Sequence, residues 1–183
     1  MITVCDRASL NRPKRSLSKS WYEAANAEKL KELKNDILTY FNRHLKTASA
    51  SNGDIMWTCP ADFKNKVSGK GFTCARSMTK GEKHLPEQER KELEKRLDCF
   101  VPCNAKATNI YGERWALAYC CNMYLRPMIK GFFDDSGVEP NERAYALSCL
   151  IQWLCRSRIR NGEPIEMYIP SKRMRDLLLA WMN

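Results

Sequence analysis

The sequence predicts a mainly α fold with a small β element, an α+β arrangement in a helical single domain. Three observations lead there. Apolar residues recur at steps of three or four across residues 20–46, 110–126, 141–161 and 172–182. Capping and stop residues bracket most of these stretches. Only residues 165–169, Ile-Glu-Met-Tyr-Ile, alternate apolar with polar clearly enough to read as a strand.

The first 19 residues carry Arg7, Arg12, Lys14, Arg15 and Lys19 against Asp6 alone, with no apolar period. They are expected to form a basic, flexible arm, and residues 20–183 the folded domain. Ser20 with Glu23 fits a capping box, opening a helix to about residue 46 with Leu30, Leu33, Ile37, Phe41 and Leu45 on one stripe. Asn52 and Gly53 signal a turn. Ile55, Met56 and Trp57 form a short apolar run, and Pro60 suits the start of a short helix over residues 61–67.

Residues 68–72, Ser-Gly-Lys-Gly-Phe, are glycine-rich and basic, and they lack the ending and spacing of a phosphate-binding Walker loop. A turn that displays Lys70 is the expected structure, with phosphate contact as the functional version of it. Residues 73–98 read as a loop and a charged helix opened by Pro86, a candidate insertion. Thr108 or Asn109 can cap a helix over residues 110–126, and Pro127 interrupts it. Asn141 caps a further helix that stops at Asn161 and Gly162. Ser171 caps the last helix, 172–182. The strand at 165–169 needs a partner, with Ile55 to Trp57 and Phe100 with Val101 as the candidates.

The chain of 183 residues has a net charge of +10, which favours phosphate-bearing or acidic partners. The nine cysteines follow no secretory signal pattern and no run approaches a membrane span, so reduced thiols in a cytoplasm are expected, with no membrane partner. Cys99 and Cys103 raise the question of zinc with Cys59, Cys74 or His84, but no Cys-x-x-Cys pair exists, so no metal and no cofactor are expected. Asp134 and Asp135 lack the calcium-loop pattern. No hydrolase elbow, metalloprotease motif or dinucleotide fingerprint appears, and the expectation is a non-enzymatic protein.

The binding residues expected from charge lie mostly between positions 156 and 175. Arg156, Arg158, Arg160, Lys172, Arg173 and Arg175 stand there against Glu163 and Glu166. Arginines can grip phosphate bidentately, and a helix start supplies free N–H groups. Arg12, Lys14, Arg15 and Lys70 extend the set.

Three blocks carry a resemblance. The first holds Ser18, Trp21 and Tyr22 with Lys34, Asn35, Asp36 and Ile37. The second holds Ala107, Thr108 and Asn109, then Ala118 to Tyr124, and Pro127 to Lys130. The third runs from Gln152 and Trp153 through Arg156, Ile159, Pro164 and Tyr168 to Arg175. They resemble proteins of phages and mobile elements in gut Firmicutes, among them the type II-A anti-CRISPR proteins. That resemblance implies a stoichiometric inhibitor that binds Cas9 with its guide RNA and blocks target DNA binding or cleavage. A chain this basic would do so through phosphates or an acidic Cas9 surface, not by mimicking DNA. The alternative is a basic phage or plasmid DNA-binding protein without a Cas9 partner.

Overall fold

The computed structural model describes residues 1–12, 15–45, 52–105 and 109–183. Four strands organise it: β1 (Ile2–Val4), β2 (Ile55–Thr58), β3 (Ala116–Tyr119) and β4 (Ile165–Tyr168). They form one sheet in the order β1-β4-β3-β2, and all three pairings are parallel. The mainly α expectation is therefore wrong. The molecule is α/β, with the sheet as its central layer.

The cause of that error is the burial of the strands. β2 and β3 are buried at every position, so neither shows the alternation that marks a half-exposed strand. A short apolar run of that kind cannot be told from a buried helix by period alone. The helix expected over 110–126 is thus replaced by turns at 110–113, β3, and extended chain from Cys120 to Arg126. Neither expected partner pairs with β4, which lies between β3 and β1. Phe100 does bridge to Trp57, on the outer side of β2.

The basic arm is also corrected. Ile2 to Val4 pair with Ile165 to Met167, and Leu10 and Leu17 are buried. Three residues are too few to register a period, so the edge strand left no sequence signal. The stretch holding Lys14 lies outside the described residues, as do residues 46–51 and the Thr108 cap.

Helices cover both faces. The cap of α1 (Lys19–Ala24) lies two residues earlier than expected, at Ser18, whose Oγ accepts from Trp21 N at 3.2 Å. Asn26 then caps a separate α2 (Ala27–Thr39), accepting from Lys29 N at 3.0 Å, and a π-turn (Tyr40–His44) follows. α3 (Lys64–Val67) and α4 (Glu87–Leu97) come next. α5 (Pro127–Asp135) begins at the proline that was expected to interrupt a helix. α6 (Glu142–Leu154) is capped by Asn141 as expected. It ends at Leu154, short of the stop expected at Asn161 and Gly162; a separate 3-10 turn (Arg158–Asn161) follows, and Gly162 after it adopts the left-handed conformation, φ +80°, that favours glycine. α7 (Lys172–Met182) closes the fold.

Strand side chains alternate between two cores. Ile55, Trp57, Ala116, Ala118 and Tyr168 face Leu30, Leu33, Ile37 and Phe41. Met56, Leu117, Tyr119, Ile165 and Met167 face Leu150 and Trp153 of α6 and Met174 and Leu178 of α7. The chain crosses from the β1 edge to the β2 edge along the first face and returns from β3 to β4 along the second. One crossover hand in a parallel sheet imposes that arrangement.

Candidate functional site

In an open parallel sheet, ligands bind outside the carboxyl ends of the strands, where chains leave neighbouring strands toward opposite faces. Here β1 leads to α1 and α2 on one face, while β4 beside it leads to α7 on the other. The carboxyl edge between them is the candidate site. β1 delivers Asp6 and Arg7 to it. β4 delivers Ser171, Lys172, Arg173 and Arg175, and β3 delivers Asn122.

The charged residues singled out from sequence separate into groups. Lys172, Arg173 and Arg175 lie at the carboxyl edge, together with Arg12 and Arg15. Arg156, Arg158 and Arg160 precede β4 and lie at the opposite, amino end. A strand of four residues separates the two halves, about 13 Å at roughly 3.3 Å per residue. The expected single patch is therefore two patches. Arg158 donates to Pro164 O at 2.6 Å and stacks over Trp115 at 5.4 Å, and Arg160 donates to Asn109 Oδ1. These contacts tie the turn before β4 to the loop before β3. Lys70 is exposed on the glycine-rich loop, beside α2 and away from both.

At the carboxyl edge Arg173 is the most constrained cation. It donates to Asn122 Oδ1 and Met123 O, both at 2.8 Å, and to Glu142 O at 3.3 Å, and it lies 4.4 Å over the Tyr124 ring. Arg175 donates to Ile169 O at 2.8 Å. These acceptors are all neutral, so neither hydrogen-bond set cancels the charge. Lys172 pairs with Asp176 at 2.6 Å on an exposed helix turn, a contact worth only about 0.3–0.5 kcal/mol. Ser171 occupies the N-cap position of α7, yet its buried Oγ has no hydrogen-bond partner among the described residues.

The chain after β1 runs across this edge. Leu10 O accepts from Tyr168 Oη at 2.8 Å, and Asn122 Nδ2 donates to Ser16 O at 2.9 Å. Leu17 O accepts from Asn122 N, and Leu17 takes φ +57°, an uncommon angle for a residue with a side chain. Arg15 is buried and bonds Asp36 at 2.6 Å, while Arg12 reaches the same carboxylate at 3.2 Å. The edge is therefore a covered, basic surface. Arg7, Arg12, Arg15, Lys172, Arg173 and Arg175 stand against Asp6, Glu32, Asp36 and Asp176.

Cysteines lie beneath the same end of the sheet. Cys103 Sγ is 3.1 Å from Cys121 Sγ and 3.2 Å from Thr58 Oγ1. Hydrogen bonds from Cys121 and then Thr58 hold the Cys103 thiol below its usual range, while burial pushes Cys121 well up. Burial also raises Cys59 and Cys120, and pushes Cys99 up to about 12. Among the described residues no three His, Cys, Asp or Glu side chains gather to hold a metal ion. Thiol reactivity follows thiolate fraction and access. Titration of the native protein with an aromatic disulfide reagent should show a fast phase from Cys74 and Cys155, the two exposed thiols. Cys59, Cys99, Cys120 and Cys121 should react only on unfolding, and their appearance in the fast phase would show an open core.

Sequence reasoning missed Arg7, Asn122 and Asp36 as parts of this edge. Arg7 was visible only as one charge of a supposed arm. Asn122 and Asp36 act through partners 106 and 21 residues away, for which a single sequence holds no signal.

The family model described as the YonV C-terminal Rossmann-like domain matches residues 1–182. The SPbeta prophage-derived uncharacterized protein YonV of Bacillus subtilis (strain 168) is 40% identical over 168 residues. That match covers 92% of this chain and 34% of the relative, so the chain spans about a third of that protein's length. No solved structure matches the chain. The prophage relative agrees with the mobile-element origin read from sequence, and the family description agrees with the parallel sheet. No helix among the described residues is long and apolar enough to cross a membrane.

Proposed function

The chain belongs to the YonV C-terminal Rossmann-like domain family, and from that premise we propose that it binds the phosphate backbone of nucleic acid along the carboxyl edge of its sheet. One observation carries the reading. Four cations expected from sequence to bind a partner, Arg12, Lys172, Arg173 and Arg175, converge with Arg7 on the end of the sheet where α/β proteins hold ligands, while Arg15, buried against Asp36, holds the chain that crosses it. The edge is a surface crossed by residues 10–12 and 15–17, which suits an extended polyanion better than an enclosed small molecule. The overall charge of +10 adds long-range attraction.

Fluorescence anisotropy with labelled DNA and RNA 20-mers tests this. Affinity should fall steeply with salt. R173E/R175E should weaken it at least about tenfold and flatten the salt slope, by about 0.9 for each duplex phosphate no longer neutralised. Unchanged affinity and slope in that variant would reject the carboxyl edge as the binding face.

A CRISPR–Cas9 guide-RNA complex is a narrower partner within the same chemistry. The anti-CRISPR resemblance alone supports it as a second reading, with stoichiometric binding that blocks target DNA binding or cleavage; the prophage relative bears only on mobile-element origin. Gel filtration distinguishes the two: co-elution with the Cas9–guide complex supports the narrower partner. Separate elution at physiological salt removes it and leaves general backbone binding to the anisotropy experiment.

A further inference from the structure

A second basic feature lies on the flank of the molecule, beside α2 and α4 and away from the carboxyl edge. Two cavities adjoin there, of about 540 and 260 Å³, and they share Thr73, Cys74, Arg76 and Ser77 as walls. Each is of the size that small-molecule sites occupy or just below it, roughly 300–1,000 Å³.

The larger cavity is built on the glycine-rich loop. Phe72 is fully buried and anchors the loop against Trp57 and Phe41. Thr73 Oγ1 closes it, accepting from Gly69 N at 3.0 Å and donating to Gly69 O at 2.7 Å. A Cβ at position 69 would stand 2.5 Å from Phe72 and 3.1 Å from the Lys34 stem, so glycine lets the lysine lie across the loop. Gly71 takes φ +100° and turns the chain back. The result presents Lys34 and Lys70 to one concavity with Arg76.

The charges there are uneven. Arg76 is clamped by Glu82 through two bonds of 2.7 and 2.8 Å, and hydrogen bonds from Arg76 and Thr79 hold the Glu82 carboxyl down to about 2. Lys34 and Lys70 have no ion-pair partner among the described residues, and no carboxylate lines the larger cavity. The smaller cavity differs. Met78 and Leu97 give it an apolar wall, Lys64 is neutralised by Asp98 at 2.6 Å, and Glu94 offers an acceptor.

An anionic head beside an apolar body is what such a pair of cavities fits. We propose that this groove binds a phosphate ester of nucleoside size, with its phosphates on Lys34 and Lys70 and its apolar body against Met78 and Leu97. Two unpaired ammonium groups in one concavity supply the charge-assisted hydrogen bonds a phosphate takes. The neighbouring apolar wall and the Glu94 carboxylate take a ring that carries amino or hydroxyl donors. No exposed aromatic side chain lines either cavity, so the groove is not a stacking track for single-stranded nucleic acid.

Isothermal titration of the full chain with ATP, tripolyphosphate and adenosine tests the proposal. ATP should bind most tightly, tripolyphosphate more weakly and adenosine negligibly. K34E/K70E should weaken ATP binding at least about tenfold, since both changes sit at exposed or half-exposed positions and invert the charge that grips the phosphate. M78E should weaken ATP and leave tripolyphosphate unchanged. R173E/R175E should leave ATP binding intact, which separates this groove from the carboxyl edge. The proposal is overturned if ATP gives no heat, if K34E/K70E binds it normally while still folded by circular dichroism, or if tripolyphosphate binds as tightly as ATP.

Discussion

Replacing Arg114 with methionine should destabilise the protein by about 3–5 kcal/mol, the cost expected when a buried, bonded charge is removed from its partners. Arg114 is 2% exposed and joins three segments. Its Nη1 donates to Ile55 O at 3.0 Å and Asp98 O at 2.8 Å, and its Nη2 to Arg96 O at 2.7 Å. The guanidinium also lies 4.7 Å over the Tyr111 ring. The carbonyls of residues 96 and 98 flank the end of α4, where the helix dipole is negative and favours a cation. Burial lowers the Arg114 pKa, so the site costs desolvation energy that these acceptors must offset. Methionine fills much of the volume and leaves all three carbonyls without a charged donor. Urea denaturation should show the midpoint falling with little change in slope. Lysine keeps the charge without the planar fork, and it should recover only part of the loss. A change below about 1 kcal/mol in the methionine variant, near the net worth of one ordinary hydrogen bond, would show that Arg114 is not a structural tie.

Asp36 to asparagine should cost about 3 kcal/mol or more by stranding Arg15, the usual penalty for breaking a buried pair from one side. Arg15 and Asp36 side chains are 5% and 9% exposed, and they meet at 2.6 Å. Glu32, 3.4 Å from Arg15, is 45% exposed and can take up only part of the role. The consequence reaches the candidate site, because Arg15 holds the chain that crosses the carboxyl edge. Hydrogen exchange should accelerate in residues 10–12 and 15–17 of the Asp36→Asn variant, ahead of the sheet. Replacing both partners, R15M with D36L, should recover much of the stability, since a hydrophobic pair of similar volume is often neutral or better. Equal losses in the single and double variants would show that stranded charge does not set the penalty.

The two residues explain the limits of the sequence reading. Arg15 looked like one more cation of a basic arm, and Arg114 was not singled out. Charge composition cannot tell a solvated arginine from one that ties distant segments. The same limit split the basic stretch at 156–175. Its six cations are close in sequence, but a strand runs between them and sends Arg158 and Arg160 to one end of the sheet and Lys172, Arg173 and Arg175 to the other. Conversely, Arg12 and Arg15 are far from Lys172 in sequence and meet it at the same end.

By itself the sequence determined the local punctuation. The Asn141 cap, the left-handed turn at Gly162, the helix over 172–182 and the charged helix opened by Pro86 all follow from interactions within a few residues. It also determined the excess positive charge. Only the tertiary structure decided that Ile2 to Val4 and Ala116 to Tyr119 are strands, and that the molecule is a layered α/β fold. Parallel strands pair across 50 or more residues: Ile2 meets Ile165, and Ile55 meets Ala116. Their hydrogen bonds leave no pattern in the neighbouring sequence, and burial on both faces erases the alternation that would have marked them. The candidate site is a product of that layering, because the parallel sheet alone brings the ends of β1, β3 and β4 to one edge.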